Sequence, residues 1–302
     1  MRLITYRHRD EADRVGVMSN GLVVDVQRFS ATHGVALPNK MLELIDMAAT
    51  ALPVLREGIE AAAGRYAAGT AVPVEDVQIK APIPRPRKNI FGIGLNYRSH
   101  VEESARSLDT GRDLPKQPVV FSKPPTTVIG PGDAIHHDAK LTQQLDWEVE
   151  LAVIIGRTAR RVSAEKALSH VFGYSVLIDI SARDNRRAGQ WIISKGMDTY
   201  APFGPCIVTA DEIADPHNLR LWLKKNGEIK QDSNTKHMIF DVPALIVDIS
   251  AGITLEPGDV IATGTPEGVG AGRSPPEWLW PGDVIEAGVD GIGVLRHPIV
   301  AM

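Results

Sequence analysis

The stretch Asp146-Trp147-Glu148-Val149-Glu150-Leu151-Ala152-Val153-Ile154-Ile155-Gly156 constrains the fold of this chain more than any other. Side chains alternate across a strand, so Glu148 and Glu150, two residues apart, share one face. From Leu151 to Ile155 the stretch is apolar on both faces, the pattern of a strand covered on each side. Burying acids without a cationic partner is costly, so a strand that carries two of them into a core must supply one. Asp179, inside the apolar run Tyr174-Ser175-Val176-Leu177-Ile178-Asp179-Ile180, is a third acid in the same setting. Three carboxylates with no Cys and no obligatory His describe an oxygen-only site, suited to Mg²⁺, Mn²⁺ or Ca²⁺ rather than zinc. An amphipathic strand with Glu outside and an Asp bonded to a loop has the same spacing. Spacing alone leaves both readings open.

At 302 residues the chain exceeds the usual single domain. A formal net charge of −4 argues against a nucleic-acid or membrane-surface partner. There is no apolar run of about 18 residues, and Met1 to Tyr6 reads as a strand rather than a signal peptide, so a cytoplasmic protein is expected. The single Cys206 rules out an intramolecular disulfide framework and suits a small core residue.

Residues 1–75 read as a small α+β unit. Strands are expected at Leu3 to Tyr6, Arg14 to Met18 and Leu22 to Val26, and helices at Met41 to Ala49 and Leu52 to Ala63. The remaining unit, 76–302, opens on a proline-stiffened connector, Pro82-Ile83-Pro84-Arg85-Pro86. A strand through Gly92-Ile93-Gly94 then leads to Ser99 and Glu102, whose capping-box spacing predicts a helix start. On that helix His100 and Glu103 are three apart and meet on one face. A carboxylate that holds a histidine in one tautomer is what a general base for water needs, although an exposed pair has the same spacing. Lys123 ends a strand, and Lys195 precedes Gly196; near three carboxylates, a lysine is a natural partner for an anionic substrate. Asn226-Gly227 predicts a hairpin, and Asp241 with Pro243 predicts the start of a helix through Ala251. Gly264-Thr265-Pro266-Glu267-Gly268-Val269-Gly270 lacks a P-loop ending, but its backbone donors suit a carboxylate.

Taken in order, several of these stretches resemble the fumarylacetoacetate hydrolase family. They are Gly94-Leu95-Asn96-Tyr97 with His100 and Glu103, Phe121-Ser122-Lys123-Pro124, Trp147 to Ala152, Asp179-Ile180-Ser181-Ala182-Arg183-Asp184, Lys195 to Thr199, Thr263 to Gly270 and Gly291 to Leu295. The resemblance implies an α/β (α+β) fold, a rolled mixed β-sandwich flanked by helices, with a small N-terminal domain, assembled as a homodimer. It implies that Glu148, Glu150 and Asp179 hold a divalent ion, commonly Mg²⁺. His100 and Glu103 match the dyad that activates water, Lys195 the lysine beside the metal, and Thr265 a substrate contact. The family usually carries Gln where this chain has Arg186.

The leading expectation is metal-dependent hydrolysis of a carbon–carbon bond in a 2,4-dioxo acid of the acylpyruvate type. His100, oriented by Glu103, takes a proton from water, and the pyruvate enolate that leaves has its charge taken up by the metal and Lys195. Lys123, Arg186 and Thr265 are the expected substrate contacts, with Arg186 selecting a second carboxylate. A 2-hydroxy-dienoate isomerase, or an oxaloacetate decarboxylase or tautomerase, uses the same enolate chemistry on the same site. A non-catalytic, metal-stabilised binding protein is the reading from another class.

Overall fold

The computed structural model describes residues 1–107, 113–187 and 189–302. Among these residues the chain forms a 12-stranded sheet and a 5-stranded sheet, with few helices. The organising strand, Val149–Ile155, lies inside the larger sheet, antiparallel to Val171–Ile178 on one side and to Val260–Ala262 on the other. All seven of its residues are buried. Val149, Leu151, Val153 and Ile155 enter one core cluster with Leu221, Leu223 and Ile285 of the smaller sheet. Ala152 and Ile154 enter a second cluster with Met41, Leu44 and Leu55 of the N-terminal helices. The double-sided apolar pattern follows from this, with a sheet on one face and helices on the other.

Glu148 and Glu150 have the parity of Ala152 and Ile154, so they lie on the helix-covered face, ahead of the point where packing closes. The large sheet is mixed: Val260–Ala262 runs parallel to Ile90–Gly94, which pairs antiparallel with the edge strand Val119–Lys123. Its other flank is built by Arg2–His8, Arg14–Ser19 and Leu22–Asp25, and Arg2–His8 bonds to Ala201–Thr209.

Turn chemistry agrees with the sequence at several places. Asn226 and Gly227 both adopt positive φ, 51° and 83°, at the hairpin joining Arg220–Lys225 to Glu228–Asn234. Asp241 caps Val242–Gly252 by accepting the Ala244 amide at 2.9 Å.

Two local expectations are corrected. The strand predicted to reach Val26 stops at Asp25, which accepts the Arg28 amide and starts the helix Val26–Thr32. Ser99 is not an N-cap, because the helix Arg98–Ser107 has already begun and the Ser99 hydroxyl donates to Glu267.

Candidate active site

The strand ladder brings the three acids together. Val149 pairs with Ile178, and one step further the Asp179 amide donates to the Glu148 carbonyl at 2.8 Å. Glu148, Glu150 and Asp179 are buried, and each offers an oxygen within 4.8 Å of the others'. Each carboxylate also has one oxygen held by a protein donor. Arg183 Nη2 donates to Glu148 Oε1 at 2.6 Å, the Gly264 amide to Glu150 Oε2 at 2.7 Å, and Lys123 Nζ to Asp179 Oδ1 at 2.5 Å. Lys195, delivered by the short helix Ile192–Lys195, bridges Glu148 Oε2 at 2.8 Å and Asp179 Oδ2 at 2.5 Å.

Charge is unevenly compensated across the three. Burial alone would raise the Glu148 carboxyl, but Lys195 and Arg183 together hold it well below the usual carboxylate range. Glu150 goes the other way, pushed well up by burial and by the negative charges of Asp179 and Glu148. Burial disfavours the Lys195 ammonium, yet Asp179 and Glu148 outweigh it and raise its pKa, so it stays protonated. A donor set made only of hard oxygens, with one member starved of positive charge, fits a divalent ion of the Mg²⁺, Mn²⁺ or Ca²⁺ kind.

The glycine-rich loop after Val260–Ala262 does hold carboxylates, and they are the protein's own. Gly264 N donates to Glu150, Gly268 N to Glu103 at 3.0 and 3.2 Å, and Gly270 N and Ala271 N to Asp146 at 2.6 and 3.0 Å. Close approach makes glycine necessary here. A Cβ on Gly264, at φ 94°, would sit 2.9 Å from the Ile93 carbonyl, and one on Gly268 would sit 2.1 Å from the Lys230 carbonyl. Glu103 in turn meets His100 Nδ1 at 3.3 Å, and both side chains are buried.

His100, Glu148, Arg183, Arg186, Lys195 and Thr265 line one cavity. Glu150 and Asp179 lie behind Glu148, 1 % and 0 % exposed. Lys123, expected at the substrate, is 0 % exposed and lies behind Asp179, bonded to that acid and to the Lys195 carbonyl. Burial lowers its pKa. Thr265 reaches the cavity with its hydroxyl already donated to the Val149 carbonyl at 2.9 Å and accepting from Gln231 at 2.8 Å. Arg186 stands with its guanidinium 5.3 Å from the Trp191 ring centre.

Two residues escaped the sequence reading: Arg183, which bonds Glu148, and Asp146, which bonds Arg183 Nε at 2.8 Å. The signal for Asp146 was present, since Asp146, Glu148 and Glu150 continue one alternation. No helix among the described residues is long and apolar enough to cross a membrane.

Comparison with known proteins gives a consistent picture. Residues 89–300 match the family described as fumarylacetoacetate (FAA) hydrolase C-terminal. The chain is 46% identical over 227 residues to the oxaloacetate tautomerase YisK of Bacillus subtilis, covering 75% of this chain and 74% of that protein. It is 36% identical over 306 residues to a mitochondrial oxaloacetate tautomerase of Xenopus laevis, covering 99% and 90%. Among solved structures it superimposes on a fumarylacetoacetate hydrolase of Exiguobacterium antarcticum with TM-score 0.82 at 36% identity, over 100% of both chains. It also matches the maleylpyruvate hydrolase of Sphingobium sp. SYK-6, solved with manganese(II) and pyruvate, with TM-score 0.77 at 32% identity, over 100% of this chain and 99% of that one.

Proposed function

This chain belongs to the fumarylacetoacetate hydrolase family, and from that premise we propose that it interconverts the keto and enol forms of a small 2-keto dicarboxylic acid such as oxaloacetate. The similarity to oxaloacetate tautomerases supports this reading over hydrolysis. The observation that carries it in the geometry is the placement of His100 and Lys195 on one cavity, a proton carrier and a fixed positive charge. Glu148, Glu150 and Asp179 would hold the divalent ion, which polarises the keto oxygen when bound and acidifies the adjacent C–H.

The chain's own residues handle the proton. With Nδ1–H directed at Glu103, His100 keeps a lone pair on Nε2, the state of a base. In ketonisation the enol O–H gives up its proton, the C–O bond becomes a carbonyl and C3 gains a proton; His100 takes one proton and returns one, so nothing else is consumed. Glu103, fixed by the Gly268 amide, stabilises the transient imidazolium. The Lys195 ammonium on the cavity wall would stabilise the negative charge that develops on the oxygen. Arg186 would receive the second carboxylate.

The test is spectroscopic. Freshly dissolved enol-oxaloacetate should ketonise faster with protein and Mg²⁺ or Mn²⁺ than in buffer, and chelation should remove the acceleration. If no divalent ion produces any acceleration, the proposal is wrong.

Hydrolysis of an acylpyruvate is the second reading, supported by the intact His100–Glu103 pair and by the likeness to a maleylpyruvate hydrolase. Pyruvate release from an acylpyruvate panel tests it. The family likeness also supports a homodimer, which light scattering of the purified protein checks directly.

A further inference from the structure

Asp146 does not line the cavity, yet it is fully buried and every part of its carboxylate is used. Oδ1 accepts the Trp147 amide at 2.7 Å and the Gly270 amide at 2.6 Å. Oδ2 accepts the Ala271 amide at 3.0 Å and Arg183 Nε at 2.8 Å. Local strand pairing sets up the Arg183 contact: Leu145–Asp146 runs antiparallel to Ser181–Ala182, the Arg183 amide continues the ladder to the Gln144 carbonyl at 3.0 Å, and the Arg183 side chain reaches diagonally to Asp146. The same guanidinium then reaches Glu148 Oε1 through Nη2 at 2.6 Å. Burying a charge this deeply is costly, and the fold has built a glycine loop around it. A Cβ on Gly270 would sit 2.7 Å from Asp146 Oδ1.

We propose that Asp146 is a positioning residue for the metal centre, acting through Arg183. The inference rests on the reading of Glu148, Glu150 and Asp179 as metal ligands. A guanidinium is a planar fork, and anchoring Nε at Asp146 fixes the direction in which Nη2 points. That keeps Glu148 Oε1 occupied and leaves Oε2, which also accepts Lys195 Nζ at 2.8 Å, as the oxygen open to an ion. Glu148 is thereby confined to one-oxygen ligation.

Ion choice follows from that confinement. Mg²⁺ demands near-ideal octahedral geometry, whereas Ca²⁺ accepts two-oxygen carboxylates and variable coordination. A Glu148 released from Arg183 is a worse ligand for the first ion and an adequate one for the second. Asp146 therefore tunes the site toward Mg²⁺.

The experiment titrates the full-length, metal-stripped protein with Mg²⁺ and with Ca²⁺ by calorimetry. Asp146→Asn removes the negative charge that pairs with Arg183 and sets an amide donor against two donors in either orientation, so the anchor on Arg183 is weakened. Its Mg²⁺ affinity should fall roughly 10-fold to 100-fold, the usual cost of losing an outer partner, with a much smaller change for Ca²⁺. Arg183→Lys should show the same skew, and the double variant should be no weaker than Arg183→Lys alone. If Asp146→Asn does not fold, the skew in Arg183→Lys decides the matter. Equal losses for both ions, unchanged Mg²⁺ binding, or two effects that multiply would overturn the inference and leave the metal reading standing. A wild-type protein that binds neither ion, and is indifferent to Glu150→Gln, overturns both.

Discussion

Asp25 and Glu150 are both buried acids at strand ends, and they have opposite fates. Asp25 accepts Arg14 through Nε at 2.5 Å and Nη2 at 2.9 Å, the Tyr6 hydroxyl at 2.7 Å and the Arg28 amide at 2.7 Å. Burial alone would raise its pKa, and these partners instead hold it below the ordinary value. Glu150 receives one donor among the described residues, the Gly264 amide, and shares its surroundings with two more acids. A buried carboxylate with a full set of donors joins parts of the fold together. One left short of positive charge is poised to take a cation. The comparison separates structure from function at two places where sequence shows only an acid in an apolar strand.

The sharpest way to break it is to neutralise each acid. Glu150→Gln should leave the metal-free protein folded, because it removes repulsion from Asp179 and Glu148. Metal-dependent turnover should drop by roughly a thousandfold, the several kcal/mol a Lewis acid contributes. Asp25→Asn should do the reverse, costing about 3 kcal/mol in a urea melt through the unpaired Arg14 while activity per folded molecule persists. Should Glu150→Gln unfold the chain, or Asp25→Asn abolish turnover in folded protein, the contrast would be void.

Much of this was legible in the sequence, for physical reasons that also explain what was not. The acids of the 146–156 stretch were visible because period-2 alternation is unambiguous where one half of a strand is apolar on both faces. The glycine-rich loop was legible as a carboxylate cradle, but not whose carboxylates it held, since Glu103 and the pair Asp146 and Glu150 reach it from two segments distant from it in sequence. Arg183 lay in a polar stretch that reads as solvated surface, and only the pairing of Leu145–Asp146 with Ser181–Ala182 turns it inward. Lys123 shows the same limit: a lysine at a strand tip looks like a ligand contact until packing places it behind Asp179. The helix Val26–Thr32 was hidden because Val26 continues an apolar strand pattern, and Asp25 caps it with the carboxylate that also binds Arg14.

Metal addition gives the next largest effect. At a hundredfold excess over its dissociation constant, Mg²⁺ or Mn²⁺ should stabilise the wild-type protein by about 2.7 kcal/mol, seen as a raised melting temperature. Glu150→Gln should lose that shift and Asp25→Asn should keep it. An unaltered shift in Glu150→Gln would remove Glu150 from the ligand set.

The pH dependence of stability sharpens the contrast further, because the two shifts have opposite signs. The depressed Asp25 contributes stability above its unfolded pKa, about 3.9, and that contribution disappears as pH falls through the folded value. Glu150 is raised, so the metal-free protein is favoured below the unfolded value of about 4.3 and loses stability as pH rises toward the folded one. Urea melts across pH should therefore show a weakened acid limb in Asp25→Asn. Glu150→Gln should lack the loss on the rising side, and saturating metal should mask that loss in the wild type. A metal-free wild type with no loss above the ordinary Glu range would contradict the uneven compensation at the site.

The smallest effect comes from extending the comparison to the arginines. Arg14 is committed to Asp25 through both ends of its fork, and Asp25 raises its pKa. Arg186 lines the cavity, and burial together with Arg183 pushes its pKa down although Glu148 opposes them. A cation disfavoured by its surroundings gains most from an incoming anion, and the distal carboxylate of a dicarboxylic keto acid has the right charge. Arg186→Gln should raise KM for a four-carbon dicarboxylate by about tenfold, the cost of one charge-assisted hydrogen bond. The KM for a keto acid lacking that second carboxylate should hardly move, and kcat should stay within a few-fold because His100 and Lys195 are untouched. Equal KM changes for both substrates would mean that Arg186 shapes the wall through its stacking on Trp191 rather than reading the anion.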